Sequence, residues 1–474
     1  MEAGTQKAGI PLEACRAMAL LTTAYALFHG WADIFFIGEL IDLPDTPCNS
    51  HQVFILFRTV GFFCCFAMAT RVSSLVDKRS AYLASAAAMT ASAVLMIASI
   101  RMPSVASMLQ FGGACLGGLG IGATSMLWFE SITFLKPLAA LICYLLSALV
   151  TPSLVAPLYT AGTEALILCG FIAPSIAILS LKLSGRFVSP LEASPKASVD
   201  RNLFARIVAL LSLFGFALAF REPMIGNAMF ASGSYTAVGS LAMACIVLLG
   251  MAIWGSRFRL SFVCRILLPF TAVVFLLMPT QFPLMDLISD TCGSACDELV
   301  KILSVAVLVH QCWRNGASAL RLFGFAYGVH GVLVFFGGQA CLALMAQGVS
   351  DADLSAWFSI IAALIIAATI FILPNDYDLA PISLYDGNAV SSSKAQGEIS
   401  QEDAARSLAA RFGLTARETE ILELMLEGKS IDDIASELVI ARETVKTHRR
   451  NLFLKCEVHR EEELRDLAKG DPRV

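Results

Sequence analysis

The residues best suited to chemistry lie in one stretch near the end of the chain, ARETVKTHRRNLFLK, at positions 441–455. This stretch contains five Lys and Arg residues. On a helix, Lys446, Thr447 and Arg450 share one face, because they stand at i, i+1 and i+4. Val445 and Leu452 have the spacing of residues on the opposite, buried face. A helix with such a cationic face is suited to binding polyanions, whose negative charges attract Lys and Arg.

The residues before this stretch predict the short helices that position its cationic face. Thr415 and Glu418 form a capping box, in which the hydroxyl and the carboxylate satisfy the free amides at the start of a helix. Gly428 ends that helix, and Ser430 caps the next one. The apolar residues of the two helices repeat at helical spacing: Ile421, Leu422, Met425 and Leu426, then Ile431, Ile434, Ala435 and Leu438. With a further helix from about 401 to 411, the pattern predicts a helix-turn-helix.

The positive charge of the tail is confined to the third of these helices. From Arg442 to Arg460 the chain has six Lys and Arg residues against two acids, and the rest of the tail is acidic enough to cancel them. The tail is therefore not a generic polycation. Charge confined to one helix face is what docking into a groove of double-stranded DNA requires, so DNA is the predicted partner.

Four motifs in the tail carry a family resemblance. They are Leu414-Thr415-x-Arg417-Glu418, Gly428-x-Ser430-x-x-x-Ile434-Ala435, Thr444-Val445-Lys446-x-His448 and Val458-His459. Over about residues 408 to 469 the chain resembles the LuxR-type (GerE) DNA-binding domain of bacteria. It departs from that family at Ala441, where Ser or Thr usually caps the recognition helix, and at Cys456-Glu457.

The resemblance implies a four-helix domain that binds promoter DNA as a homodimer, with the last helix, about 461–469, pairing the subunits. RNA polymerase is a further partner that it suggests. Three residues of the third helix would then face base edges in the major groove: Lys446, Thr447 and Arg450. Four others would lie nearer the phosphates, which position a helix without reading sequence: Thr444, His448, Arg449 and Lys455.

Most of the chain is too apolar to belong to such a soluble domain. Apolar residues make up 57% of the sequence and charged residues 15%, whereas soluble proteins average roughly 45–50% and about 25%. Apolar windows of about 20 residues, long enough to cross a lipid bilayer, begin near residues 15, 52, 80, 105, 138, 162, 203, 234, 260, 294, 319 and 354. The sequence therefore predicts an all-α membrane domain with twelve spans.

The longest polar connection, LSGRFVSPLEASPKASVDRN, divides these spans into two sets of six. Basic residues such as Lys78 and Arg79 concentrate in the connections on one side, which predicts that both termini are cytoplasmic. The six-plus-six pattern resembles the major facilitator superfamily, whose halves surround a cavity at the membrane midplane. SSLVDKRS, at 73–80, resembles a loop signature of that family through Leu75, Asp77 and Lys78, with serines in place of its glycines.

Ionisable residues inside the spans are candidate ligand-binding residues, because charges in a bilayer usually face a cavity or a partner. His29 and Asp33 stand four apart and share one face of the first span. The predicted ligand cavity lies between spans one, seven and ten, and its residues are His29, Trp31, Asp33, Arg58, Arg221, Glu222 and Lys301. Pairing between spans is the alternative for each residue, and Asp297 and Lys301 also have the spacing to pair along one helix.

The sequence predicts neither an enzyme nor a bound cofactor or metal. It has no paired carboxylates, no nucleophile elbow and no CxxC pair with histidines at metal-binding spacing. The segment FGGACLGGLGIGATS resembles a nucleotide-binding loop only superficially, since it lies inside an apolar window. In that segment Gly113 and Gly117, like Gly118 and Gly122, have the spacing that lets membrane helices approach closely.

These features predict a membrane domain at 1–374, with halves of about 13–184 and 203–374, a flexible linker at 375–400 and a DNA-binding domain at 401–474. The whole arrangement resembles the membrane-bound LuxR-type regulators of anaerobic gut actinobacteria. That resemblance implies a one-component sensor of a small molecule or membrane signal, located in the bacterial cytoplasmic membrane. Two alternatives remain: a secondary transporter with an appended DNA-binding tail, and a tail that docks another protein.

Overall fold

A computed structural model describes residues 11–37, 40–188, 199–225, 235–254 and 285–372 without a break. It also describes positions 258, 260, 263, 264, 266, 267, 270, 273 and 274 and, near the end of the chain, 405, 408, 409, 412, 414–426, 429, 431–438, 440–456, 458 and 464. The chain divides into two compact units, Met1–Tyr385 and Asp386–Val474. The predicted linker, 375–400, lies outside the described residues.

The described part of the first unit is built from α-helices and contains no strand. Its helices are α1 (Leu12–Ala32), α2 (Ser50–Met68), α3 (Arg79–Arg101), α4 (Ala106–Ile132), α5 (Pro137–Ala161), α6 (Thr163–Ser184), α7 (Arg201–Ile225), α8 (Tyr235–Trp254), α9 (Met285–Asn315), α10 (Ala319–Ala346) and α11 (Asp351–Ile372). These eleven coincide with eleven of the twelve predicted spans, and the ninth predicted span, near 260, falls mostly outside the described residues. Within the described part of the chain, eight helices are long and apolar enough to cross a membrane.

Large apolar side chains stay exposed along these helices. Leu83, Leu168 and Phe336 are each more than half exposed, although they lie on helices with fully buried neighbours. A bilayer accounts for such surfaces, since lipid is the solvent in which helices apolar on all sides are stable and their backbone groups are satisfied internally. The first unit is therefore a multi-pass membrane domain.

The tenth predicted span begins earlier than the sequence indicated. The apolar window begins near residue 294, whereas α9 begins at Met285 and runs for 31 residues. Its first turns contain Asp286 and Asp290, which precede the apolar window. The difference arises because apolar content marks only the segment immersed in lipid, while helical hydrogen bonding continues beyond it.

The two halves of the membrane domain meet along α2 and α10, and along α5 with α8 and α9. Within the first half, α2 packs closely on α4, as the predicted glycine spacing requires. A Cβ atom built on Gly118 would lie 2.6 Å from the carbonyl oxygen of Phe54, and one on Gly122 would lie 3.3 Å from the Cα atom of Gly61. The predicted role of this segment in helix packing is confirmed, because side chains at these glycines would force the helices apart.

The described residues of the second unit form a small helical core of their own. Its helices are α12 (Ala416–Leu426), α13 (Ile431–Glu437) and α14 (Arg442–Lys455). The fully or almost fully buried side chains are Ala405, Leu408, Ile421, Leu422, Met425, Ile434, Val445, Leu452, Cys456, Val458 and Leu464. The predicted ends at Gly428 and Ser430 lie outside the described residues. The two short helices and the third helix packed on them form the predicted helix-turn-helix.

Candidate nucleic-acid interface and membrane polar cluster

The third helix of the tail, α14, is fixed to the core by one of its faces. Val445 is 1% exposed and Leu452 is fully buried, as their spacing predicted. The helix begins without a side-chain cap, because the preceding residue is Ala441, whose backbone is extended. Packing of the buried face therefore stabilises α14 in the absence of a side-chain cap, since most helix stability in proteins comes from the buried face.

The opposite face of α14 exposes the residues predicted to read bases. Lys446, Thr447 and Arg450 are all exposed. The Lys446 ammonium group lies 2.7 Å from a carboxylate oxygen of Glu443, one turn earlier, and this hydrogen bond keeps the pKa of Glu443 below its usual value. An ion pair at such an exposed position is weak and screened by salt, so phosphate or base groups of DNA can displace it.

The residues predicted to lie near phosphates are in three different environments. Thr444 is exposed, whereas His448 and Arg449 are half-buried. The Arg449 guanidinium stacks on the ring of Phe453, with 5.2 Å to the ring centroid. This contact limits the directions in which the guanidinium can point, because it is a cation–π interaction with a ring that packs on the core.

Lys455, the fourth of these residues, makes a contact within the domain. Its ammonium group donates to the Glu418 carboxylate at 2.7 Å. The same carboxylate accepts the backbone N–H of Thr415 at 2.8 Å, while the Glu418 N–H donates to the Thr415 hydroxyl at 3.3 Å. The predicted capping box is thus present, and Lys455 joins it to the end of α14.

This network lowers the pKa of Glu418, first through the hydrogen bond from Lys455 and then through the Thr415 amide. Glu418 is only 4% exposed. Sequence reasoning did not find the partnership, because 37 residues separate the two side chains and both also belong to other recognisable patterns. The structure therefore gives Lys455 a role in holding α14 against α12.

A groove of ≈ 760 Å³ runs beside the exposed face of α14. Its lining combines three cationic side chains with apolar ones: Lys446, Arg449 and Arg450, and Ile431, Phe453, Leu454 and Val458. Cationic groups along a groove attract phosphate oxygens, and apolar groups suit the thymine methyl or the sugar. The face and its groove have the chemistry of a DNA-binding surface.

In the membrane domain, the predicted residues of α1 and α9 lie within electrostatic range of one another. Tyr25, His29 and Asp33 follow one face of α1, and the rings of Tyr25 and His29 stack at a centroid distance of 4.1 Å. Lys301 of α9 lies within electrostatic range of His29 and Asp33. Asp33 begins a π-helical turn, a distortion that often accompanies functional sites.

Lys301 is also paired along its own helix. Its ammonium group lies 2.5 Å from a carboxylate oxygen of Asp297, four residues earlier, as the alternative interpretation proposed. Arg58 of α2 lies within electrostatic range of both His29 and Lys301. His29, Asp33, Arg58 and Lys301 thus form a polar cluster with Asp297. We call it the polar cluster, and its side chains come from both halves of the domain.

The remaining predicted ligand residues lie in different surroundings. Trp31 is fully buried and packs against Phe35, with ring centroids 5.6 Å apart. Arg221 is 3% exposed, with its guanidinium over the ring of Phe358 at 5.6 Å. Trp31 and Arg221 are thus part of the packed aromatic core rather than of the polar face that contains His29.

Glu222 connects the two halves. Its carboxylate lies 3.0 Å from the Nε2 atom of His51 on α2, and the Nδ1 atom of His51 lies 2.7 Å from the carbonyl oxygen of Phe36. Glu222 also lies within electrostatic range of Arg58, which links it to the cluster. His51 was missed in the sequence because it comes at the start of its span, where polar residues are ordinary.

The cluster contains further side chains that the sequence did not single out as ligand residues. Tyr25, Tyr144 and Tyr327, from α1, α5 and α10, lie within electrostatic range of Glu298 on α9. Glu298 is 7% exposed. The sequence does not distinguish a tyrosine that binds a ligand from one that packs in the core of a membrane domain, because both occur in apolar spans.

The loop that resembles the major facilitator signature is held by a buried carboxylate. Glu130 of α4 accepts the backbone N–H groups of Leu75 at 2.9 Å and Val76 at 3.3 Å. At the start of α10, Arg321 donates to the carbonyl oxygen of Ala69 at 3.5 Å, across the two halves. These contacts position the loop between α2 and α3 without a glycine-rich sequence.

Comparison with known proteins identifies the tail. Residues 413–468 match the family described as bacterial regulatory proteins, luxR family. The chain is 50% identical over 46 residues to the uncharacterized response regulatory protein YgeK of Escherichia coli (strain K12). It is 52% identical over 50 residues to the HTH-type transcriptional regulator MalT of Serratia proteamaculans (strain 568). Each match covers 10% of this chain, but only 31% of YgeK and 6% of MalT.

The membrane domain is similar in fold to solved transporters. A bacterial homologue of the iron transporter ferroportin in an outward-facing state aligns with a TM-score of 0.53 and 11% identity, covering 77% of this chain and 98% of that one. The human organic anion transporter MFSD10 (TETRAN) aligns at 0.51 and 13%, and the major facilitator superfamily transporter FucP at 0.50 and 14%. The last two alignments each cover 77% of this chain and the whole of the transporter.

At these identities the likeness concerns the fold alone. The predicted architecture is confirmed in both regions: residues 413–468 are a LuxR-family helix-turn-helix DNA-binding domain, and the chain joins them to a membrane-spanning domain with the major facilitator fold.

Proposed function

We propose that this protein is a membrane-bound one-component transcription regulator. The membrane domain senses a small molecule or a membrane signal, and the tail binds promoter DNA as a homodimer. The observation that carries the proposal is the exposed cationic face of α14, with Lys446, Thr447 and Arg450, held on a packed core in the same chain as a transporter fold.

The proposal requires the tail to be in the compartment that contains DNA. Both termini are then cytoplasmic, in the cytoplasmic membrane of a bacterium, as the distribution of Lys and Arg between the connections predicts. The test is a pair of reporters fused after Val474, one active only in the cytoplasm and one active only outside the membrane. Activity of the outside reporter alone would contradict the proposed function.

Signalling requires two packings of the membrane helices that a ligand binds with different affinity. We propose that the polar cluster formed by His29, Asp33, Arg58 and Lys301 is the ligand site, because it joins the two halves whose relative positions would change. Such a change would alter whether two tails pair on one operator. Pairing would use the last helix, about 461–469, most of which lies outside the described residues.

The decisive experiment maps the DNA sites occupied by the full-length protein and compares two neighbouring substitutions. Arg450→Ala should relax sequence preference at one base pair, because a good side-chain contact to a base is worth about 1–3 kcal/mol of discrimination. Arg449→Ala removes the same charge from the same helix, but should weaken binding to all sequences and flatten its salt dependence. Unchanged occupancy in both variants would instead favour a tail that docks a protein.

The major facilitator fold supports a second candidate, a secondary transporter with an appended DNA-binding tail. Accumulation of a labelled solute in vesicles, abolished by Asp33→Asn, would favour transport. Ligand-dependent promoter occupancy without accumulation would favour the regulator. Contact of the bound tail with RNA polymerase is a further part of the proposal, and crosslinking at the promoter tests it.

A further inference from the structure

A buried carboxylate in the polar cluster has an oxygen atom without a partner. Glu298 on α9 is 7% exposed, and its Oε1 atom accepts no hydrogen bond from the described residues. The Tyr144 hydroxyl is within hydrogen-bonding range of the carboxylate. A buried acceptor left without a donor is costly, and more so when the group is charged. Such an atom calls for a donor that the described residues do not supply.

Lys301, one turn further along α9, does not fill this role. Its ammonium group is committed to Asp297 at 2.5 Å. The side chains of Lys301 and Asp297 remain 34% and 19% exposed, which leaves accessible space on the same side of the helix as Glu298.

Acidic side chains outnumber basic ones in and beside the cluster. Glu222 is paired with His51, and Arg221 belongs to the aromatic core. The remaining carboxylates are Asp33, Asp297 and Glu298 against the cations Arg58 and Lys301, which leaves room for one additional positive charge. In a membrane, where isolated charges are unfavourable, one bound monocation would restore the balance.

Aromatic rings near Glu298 suit the same kind of ligand. Tyr25, Tyr144 and Tyr327, on three different helices, lie within electrostatic range of its carboxylate, and Tyr25 lies 4.7 Å from Trp128, centroid to centroid. Aromatic rings attract cations through the negative charge of their faces. The three tyrosines also bring together both halves of the domain, since α1 and α5 belong to the first and α10 to the second.

We propose that the polar cluster binds an organic ammonium ion whose N–H group donates to Glu298, with the tyrosine rings around its charged end. This inference rests on the ligand site of the proposed function and names its ligand class. An N–H donor is required, because the unpartnered group is an acceptor. A primary ammonium should therefore bind better than a quaternary one of similar shape, and a carboxylate of similar shape should not bind.

The test uses the purified full-length protein in lipid nanodiscs and three probes: benzylammonium, benzyltrimethylammonium and benzoate. Benzylammonium should bind saturably, benzyltrimethylammonium more weakly, and benzoate not at all. Glu298→Gln should weaken benzylammonium binding by at least about tenfold, which corresponds to about 1.4 kcal/mol. Glu164→Gln is the matched control, because it removes one carboxylate from an exposed position at the start of α6 and should leave binding unchanged.

Three results would overturn the ammonium site: no saturable benzylammonium binding, equal binding by Glu298→Gln and the unaltered protein, or benzoate binding as tight as that of benzylammonium. Promoter DNA binding by the same preparation, measured without any probe, separates this inference from the proposed function. Intact DNA binding without amine binding contradicts only the ligand class. Amine binding without DNA binding contradicts the proposed regulator function but supports the ammonium-binding site.

Discussion

Two buried glutamates, one in each region of the molecule, differ in how their carboxylates are satisfied. In the tail, Glu418 receives hydrogen bonds from Lys455 and from the Thr415 backbone. In the membrane domain, Glu298 is similarly buried but has an oxygen without a donor among the described residues. A satisfied carboxylate stabilises its surroundings, whereas an unsatisfied one destabilises them until something binds. Burial alone thus does not show whether a charged residue serves the fold or a ligand.

A third carboxylate shows that this difference does not follow from the solvent around each region. Glu130 lies in a membrane helix and is 4% exposed, yet it accepts two backbone N–H groups of the loop between α2 and α3. It therefore resembles Glu418 in the tail more than Glu298 in its own domain. The number of donors that reach the carboxylate separates structural glutamates from the proposed binding residue.

The largest effect should come from removing the satisfied carboxylate of the tail. Glu418→Ala leaves the Thr415 amide and the Lys455 ammonium without their acceptor, and we expect a loss of about 2–3 kcal/mol in the free energy of unfolding. Urea unfolding of residues 386–474 followed by circular dichroism measures it. Lys455→Met should lose less, because Lys455 is partly exposed and its charge is screened. If Glu418→Ala lost less stability than Lys455→Met, the proposed structural role of the Glu418 carboxylate would be contradicted.

The two membrane glutamates should respond differently to substitution by leucine, and only the substitution of Glu130 should destabilise the protein. Glu130→Leu leaves the Leu75 and Val76 amides without an acceptor and should destabilise the protein by about 2 kcal/mol. Glu298→Leu removes an unsatisfied charge and should leave stability unchanged or raise it, as apolar replacements of buried charges often do. Thermal unfolding of the full-length variants in detergent measures the change in stability for each substitution. Equal destabilisation by both substitutions would show that Glu298 is structural.

Acid should weaken the tail through Glu418. Its pKa is lowered in the folded state, so its contribution to stability is present above the pKa of the unfolded chain, about 4.3, and is lost as the pH falls through the lower, folded value. Residues 386–474 should therefore lose stability as the solution becomes more acidic than about pH 5. Unfolding of the fragment at a series of pH values measures this, and Glu418→Gln should flatten the profile.

The smallest effect should come from the start of α14. Ala441 provides no side-chain cap, so Ala441→Ser should add one hydrogen bond to the first turn and stabilise the tail by about 0.5–1 kcal/mol. Because position 441 is exposed and lies outside the buried core, the substitution should not change which DNA sequences are bound. A loss of stability on urea unfolding would show that the extended backbone before α14 does not admit a capping geometry.

Local patterns in the sequence predicted much of this molecule. The capping box of Thr415 and Glu418, the inward positions Val445 and Leu452, and the close approach of α2 and α4 at Gly118 all depend on residues near one another in the chain or on the period of a helix. The start of α9 was predicted too late because the prediction also used a local pattern. Apolar composition marks only the part of a helix that lies in lipid, and α9 extends beyond that part.

The sequence alone therefore determined which parts of the chain lie in lipid, and which helix carries an exposed cationic face. Both follow from composition and periodicity, which act over a few turns. Only the tertiary structure decided that Lys455 holds Glu418, that His51 pairs with Glu222, and that tyrosines from three helices lie within electrostatic range of Glu298. These contacts join residues far apart in the chain, and their geometry exists only once the helices have packed.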